Sequence, residues 1–285
     1  MKKLAILTDS TCDLTESLIK SNNIYVLPLY VNFGEKTYLD KVEIEPRRLY
    51  EMVDELGELP KTSAASPADF IKIYEELLKE YEEILYMGIS GSMSSTLNNA
   101  YQASVILEME DRIFVHDSWN LSTGIGLNVL KACKYRDQGL SGAQVLEKIK
   151  EFTPLVRSQF AIEKMDYLHK GGRCSSIAAI FGKFLKIKPI ITVREGKMGV
   201  GKKPRGKMKV ALEALLDYIR EDLQNLDTDC VFITHTEAFE AEEYLKEELS
   251  KLIPNIPVYV TYAGCVISSH CGPGTIGILY ALKNE

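Results

Sequence analysis

Leu4-Ala5-Ile6-Leu7-Thr8-Asp9-Ser10-Thr11 decides how the fold is read: four apolar residues run directly into a cluster of hydroxyl and carboxylate side chains. A short apolar run ending in turn residues reads as a strand, and Leu14, Leu18 and Ile19 after it have the spacing of a short helix. The same unit returns. Ile84 to Ile89 enter Ser90-Gly91-Ser92-Met93-Ser94-Ser95-Thr96, followed by a helical stretch from Leu97 to Leu107. Ile113 to Val115 enter His116-Asp117-Ser118, followed by a helix over about Gly124 to Tyr135. Strand, polar turn and amphipathic helix in repetition predict an α/β domain with a mostly parallel sheet.

Further elements fill the frame. Ile24 to Val31, carrying Pro28, reads as one strand, and Ser66-Pro67-Ala68-Asp69 combines a capping serine with a proline suited to the first helical position. After a helix near Ala143 to Phe152 the style of the chain changes around Leu155 to Phe160. We therefore divide it into an α/β domain over residues 1–157 and a second α/β domain over residues 158–285. Expected in the second are the loop His169 to Arg173, an apolar helix from Ile177 to Leu185, the strand Pro189 to Val193 and a glycine-rich basic hairpin from Gly196 to Gly206. A helix from Val210, the strand Cys230 to Thr234, a helix over Ala238 to Leu252, the strand Pro257 to Tyr262, a loop from Ser268 to Thr275 and an apolar helix to Leu282 complete it.

Composition sets limits. The chain has 285 residues and a net charge of −6, with 40 acidic against 34 basic side chains, which argues against nucleic acid as the main partner. Six cysteines and four histidines are scattered without the spacing of a disulfide framework or a zinc site. The N-terminus lacks the apolar core of a signal peptide, and no uncharged apolar run approaches the roughly 18 residues of a membrane span. A soluble, cytoplasmic protein is expected.

Open α/β sheets bind ligands at the carboxyl ends of their strands, beside helix N-termini. Thr62-Ser63, Ser94-Ser95-Thr96, and His270 with Gly272-Pro273-Gly274-Thr275 supply neutral donors at such places, suited to a carboxylate or phosphate. Helix capping and turn formation use the same residue types and are the commoner reason for any one such turn, although Ser90 to Ser95 is more polar than a cap requires. Ile177, Ile180, Phe181, Phe184 and Leu185 form either core or a hydrophobic slot; with the polar turns, a slot would suit a long-chain carboxylic acid, held by about 0.8 kcal/mol per buried CH₂. Arg173 suits a phosphate or an acidic partner. Gly201 to Met208 fails as a phosphate loop because Met208 stands where a magnesium-binding hydroxyl belongs. A serine hydrolase with Ser94 as nucleophile, His270 as base and Asp9 or Asp117 behind it is the alternative from another class.

The ordered motifs Thr8-Asp9-Ser10 with Asp13-Leu14, Pro28-Leu29, Tyr38 and Asp40, Thr62-Ser63, Ser90 through Thr96, Asp117-Ser118, Gly171-Gly172-Arg173, and His270 with Gly272 through Gly277 resemble the DegV family nearly end to end. Within it they are most similar to the fatty acid-binding subunits of bacterial fatty acid kinases. The resemblance implies two α/β domains with a fatty acid at their junction. It also implies a non-catalytic carrier without cofactors, which presents the acyl carboxylate to a separate ATP-dependent kinase subunit for phospholipid synthesis. Thr62, Ser94 and His270 match the carboxylate-binding positions, with Ser63 and Ser95 beside them and Gly272 and Thr275 in the same motif. Arg173 matches an arginine of kinase docking. Two departures are Ser95, where the family pattern has glycine, and Ala64, where it often has glutamine.

Overall fold

The computed structural model describes residues 2–180 and 187–283. The opening stretch forms β1 (Lys2–Asp9), buried from Leu4 onward, at the middle of a four-stranded sheet. Thr15 caps α1 (Glu16–Ser21) by accepting from the Leu18 amide, and β2 (Ile24–Leu27) follows. The single strand expected over Ile24 to Val31 is in fact two, because Pro28 has no N–H for a ladder. After it β3 (Tyr30–Phe33) leaves the sheet and pairs antiparallel with β4 (Lys36–Leu39). Beyond α2 (Pro46–Leu56), β5 (Lys61–Ser63) joins the other edge of β3, making a small sheet in the order β4-β3-β5.

A reciprocal capping box between Ser66 and Asp69 starts α3 (Pro67–Leu77). The strand-turn-helix units then give β6 (Tyr81–Gly88), α4 (Thr96–Ile106), β7 (Ile113–Asp117), α5 (Thr123–Asp137) and α6 (Gly142–Phe152). The larger sheet has the order β2-β1-β6-β7 with every pair parallel, as the sequence rhythm predicts.

The second domain is a six-stranded mixed sheet. It contains β8 (Val156–Ala161), β9 (Ile190–Arg194), β10 (Lys197–Val200), β11 (Val231–Thr236), β12 (Val258–Tyr262) and β13 (Thr275–Ala281), in the order β10-β9-β8-β13-β11-β12. Among the described residues only β11 and β12 of this sheet pair parallel. Its helices are α7 (Met165–Gly171), α8 (Met208–Asp222), α9 (Phe239–Leu252) and α10 (Cys265–Cys271).

Further expectations are corrected here. The apolar helix expected to end at Leu282 is β13, a fully buried strand between β8 and β11. A short apolar run has no periodicity to separate strand from helix, and seven residues rich in β-branched and aromatic side chains suit a strand. Ser268 to His270, expected in a loop, belong to α10, and His169 to Gly171 close α7. The apolar helix from Ile177 begins as a short 3₁₀ turn over Ser175–Ala179, and its part over 181–186 lies outside the described residues.

Candidate functional site

Three elements meet at the junction of the domains. Pairing of Val31 with Thr62 fixes β5 beside β3 and brings Thr62 to the site. At the carboxyl end of β6, the Ser90 carbonyl accepts the Met93 and Ser94 amides at 2.9 and 3.1 Å, closing a tight turn. The Ser90 hydroxyl donates to the Gly196 carbonyl at 2.9 Å, tying this turn to the β9–β10 hairpin of the second domain. Ser94 Oγ accepts from the Thr96 amide at 3.2 Å, while Ser95, the N-cap residue of α4, makes no capping bond with its exposed side chain. The third element is α10, whose last turn places His270 Nε2 2.9 Å from Thr62 Oγ1.

These residues border a cavity of about 490 Å³, within the range of roughly 300–1,000 Å³ usual for ligand sites. Its polar lining consists of Thr62, Ser63, Ser94, Ser95, His270 and Arg173. The walls are apolar and come from both domains: Leu29, Ile89 and Leu121 from the first, Leu168, Met198 and Ile267 from the second.

Burial, and secondarily the charge of Arg173, pushes the His270 imidazole down to about 4, so the ring is neutral at pH 7. Its Nδ1 lies against Gly171, where an added Cβ would stand 2.5 Å away; only glycine lets α7 approach the ring this closely. Arg173 is exposed, with Nη1 donating to the Gly171 carbonyl at 2.7 Å. The polar lining thus offers hydroxyls, a neutral imidazole and one guanidinium at the rim. Such a set can accept an anion through hydrogen bonds. Among the described residues no group of His, Cys, Asp or Glu side chains is arranged to hold a metal ion.

The structure gathers six of the residues singled out from sequence, Thr62, Ser63, Ser94, Ser95, His270 and Arg173, around one cavity. Gly272 and Thr275 lie off it. Gly272, at φ +75°, turns the chain from α10 into β13 and accepts from Thr236 Oγ1 at 3.1 Å, and Thr275 Oγ1 donates to the Cys271 carbonyl at 2.8 Å. Both hold the backbone where α10 passes into β13. Sequence reasoning missed the walls, including Met198 from the basic hairpin and Leu168 from α7, because apolar lining and apolar core have the same composition.

Among the described residues Ser94 and His270 are not hydrogen-bonded to each other. Ser94 Oγ pairs with Thr96 Oγ1 at 2.8 Å, and the hydrogen bond of His270 goes to Thr62. Asp9 serves Thr11, Tyr86 and the Ile89 amide, while Asp117 accepts from the Gly91 and Trp119 amides. Neither carboxylate orients His270.

Fold and site together define a two-domain α/β protein with a cavity at the domain junction, lined by polar and apolar side chains. The chain belongs to the DegV family, whose model matches residues 3–283. It is 37% identical over 284 residues to a DegV domain-containing protein of Clostridium acetobutylicum, covering 99% of this chain and 100% of that one. Among solved structures it is similar to a DegV family protein from Thermus thermophilus described for its fatty acid binding, with a TM-score of 0.90, 32% identity, and 98% and 100% of the two chains covered. It is also similar to DegV of Bacillus subtilis, described as a fatty acid binding protein, with a TM-score of 0.86, 29% identity, and 99% and 100% covered.

Proposed function

We propose that this protein binds one long-chain fatty acid and presents its carboxylate to a separate ATP-dependent kinase subunit for acyl-phosphate formation. The observation that carries the reading is the union of the Thr62–His270 pair with apolar walls in one cavity. The carboxylate is held by Thr62, Ser94 and His270, with Ser63 and Ser95 alongside. The tail runs along the walls, each buried CH₂ contributing about 0.8 kcal/mol. The fatty acid binding of the Thermus thermophilus and Bacillus subtilis relatives supports this reading.

The carrier performs no chemistry of its own. A carboxylate attacks a γ-phosphoryl group only if it remains ionised and reachable, and hydroxyls with a neutral imidazole leave it so. Arg173, exposed at the rim, docks the kinase and meets its negative charge. Since the product feeds phospholipid synthesis and the kinase uses ATP, the protein works in the cytoplasm.

Calorimetric titration with palmitate, followed by a coupled assay with kinase and ATP, tests both halves. The reading requires saturable binding of one acid per chain and ATP consumption only when carrier, acid and kinase are together. Absence of binding refutes the whole, and binding without turnover refutes the kinase half.

A further inference from the structure

At the start of α10, opposite the end that carries His270, two buried carboxylates of the first domain hold the helix. Asp13 Oδ1 accepts from the Gly264 amide at 2.8 Å and from Lys41 Nζ at 3.0 Å, and its Oδ2 accepts from Ser122 Oγ at 2.6 Å. Asp40 Oδ1 accepts from the Cys265 amide at 2.7 Å and its Oδ2 from Ser10 Oγ at 2.8 Å. Both aspartates are 1% exposed. Gly264 is the N-cap of α10 and Cys265 its first residue, so these are two of the amides that a helix start leaves without intrahelical partners.

The backbone there is unusual. Asp13, Lys41 and Ser122 all adopt the left-handed region, at φ 51°, 62° and 52°, although none is glycine, and all three meet at the Asp13 carboxylate. Gly264 is needed for the approach, since an added Cβ would lie 2.5 Å from Lys41 Cε and 3.0 Å from both Asp40 oxygens. A local N-cap side chain would satisfy a helix start with less strain and without buried charge. Strained residues that persist around buried charge cluster where a site must be held in one geometry.

The connections lead to the cavity. Ser10 Oγ accepts from the Leu29 amide at 3.1 Å, Ser122 follows Leu121, and α10 supplies Val266, Ile267 and His270; all five of these non-serine residues line the cavity. From Cys265 to His270 the helix rises only about 7.5 Å. A shift at its start is therefore delivered to the imidazole.

We infer that Asp13, Lys41 and Asp40 are positioning residues of the carboxylate site: acting through α10, they hold His270 against Thr62 and so set affinity for the head of the ligand more than for its tail. The inference rests on the fatty acid reading above. Its test uses palmitic acid and the fatty alcohol of the same length, titrated calorimetrically into the wild-type chain, Asp40→Asn and Lys41→Met, each also combined with His270→Ala. In both variants acid affinity falls about tenfold, the loss expected for a weakened hydrogen bond to a charged group. Alcohol affinity stays within roughly twofold, and in the His270→Ala background neither substitution weakens acid binding further. Acid and alcohol affinities falling together would make the cluster a general support of the fold and overturn the inference, as would unchanged acid affinity. Lys41, 28% exposed, provides the reading should Asp40→Asn fail to fold. A wild-type chain that takes up neither ligand refutes the fatty acid reading itself, while binding that survives intact in the variants refutes only the positioning.

Discussion

The polar and apolar linings of the cavity are built in opposite ways. Among the polar residues three are held individually: Thr62 by the β3–β5 register, Ser94 by the turn closed on the Ser90 carbonyl, and His270 by Thr62 on one side and Gly171 on the other. Along the walls no residue is singled out; Leu29, Leu121, Met198 and Ile267 come from four distant segments and share only their apolar surface. Directional contacts give orientation and discriminate between head groups, whereas area removed from water gives affinity and tolerates exchange of one side chain for another of similar volume.

Substitutions that cross this division have the largest effect. Met198→Asp places a charge against the acyl tail and is expected to weaken acid binding by more than about a hundredfold, measured by calorimetry, with alcohol binding lost equally. Thr62→Ala or His270→Ala sharpens the contrast from the polar side: acid affinity falls about tenfold at unchanged unfolding midpoint, and alcohol affinity is retained.

The pH response tests the burial of His270 without mutation. His270 is pushed down to about 4, and burial takes His116 to about 4 as well. In the unfolded chain both histidines take up protons near pH 6.5, which the folded chain accepts only near 4. Their contribution to stability is therefore fully present above about pH 6.5 and is lost as pH falls toward 4. Urea unfolding at stepped pH measures this loss, and His270→Gln flattens part of the slope. Arg173→Ala has the smallest effect on binding, with fatty acid affinity within about twofold while kinase turnover falls. Because the Arg173 charge helps to depress the His270 imidazole, the variant also shifts its NMR titration upward.

The parallel sheet was legible because three of its strands, β1, β6 and β7, leave into hydroxyl or carboxylate turns, as at Thr8-Asp9-Ser10 and Ser90 through Ser95. β13 was not, since Ile276 to Ala281 has no charged or amide side chain to mark a face and a strand buried on both faces has no period. The β4-β3-β5 sheet was hidden by the break at Pro28 and by strands of only three and four residues. At the site, hydroxyls and imidazole stood out against an apolar sequence. Gly272 and Thr275 stood out for their letters too, and in the fold both hold the backbone where α10 passes into β13, outside the lining of this cavity. Asp13 and Asp40 were visible as part of a family motif, but their hold on α10 joins residues 251 and 225 positions apart and has no local signature.

The most direct measurement is native mass spectrometry of the purified protein together with extraction of whatever it carries. The account predicts a single long-chain fatty acid per chain, or stoichiometric uptake of one when it is supplied to the emptied protein. A chain that carries no such acid and refuses it when offered would contradict the account at its centre.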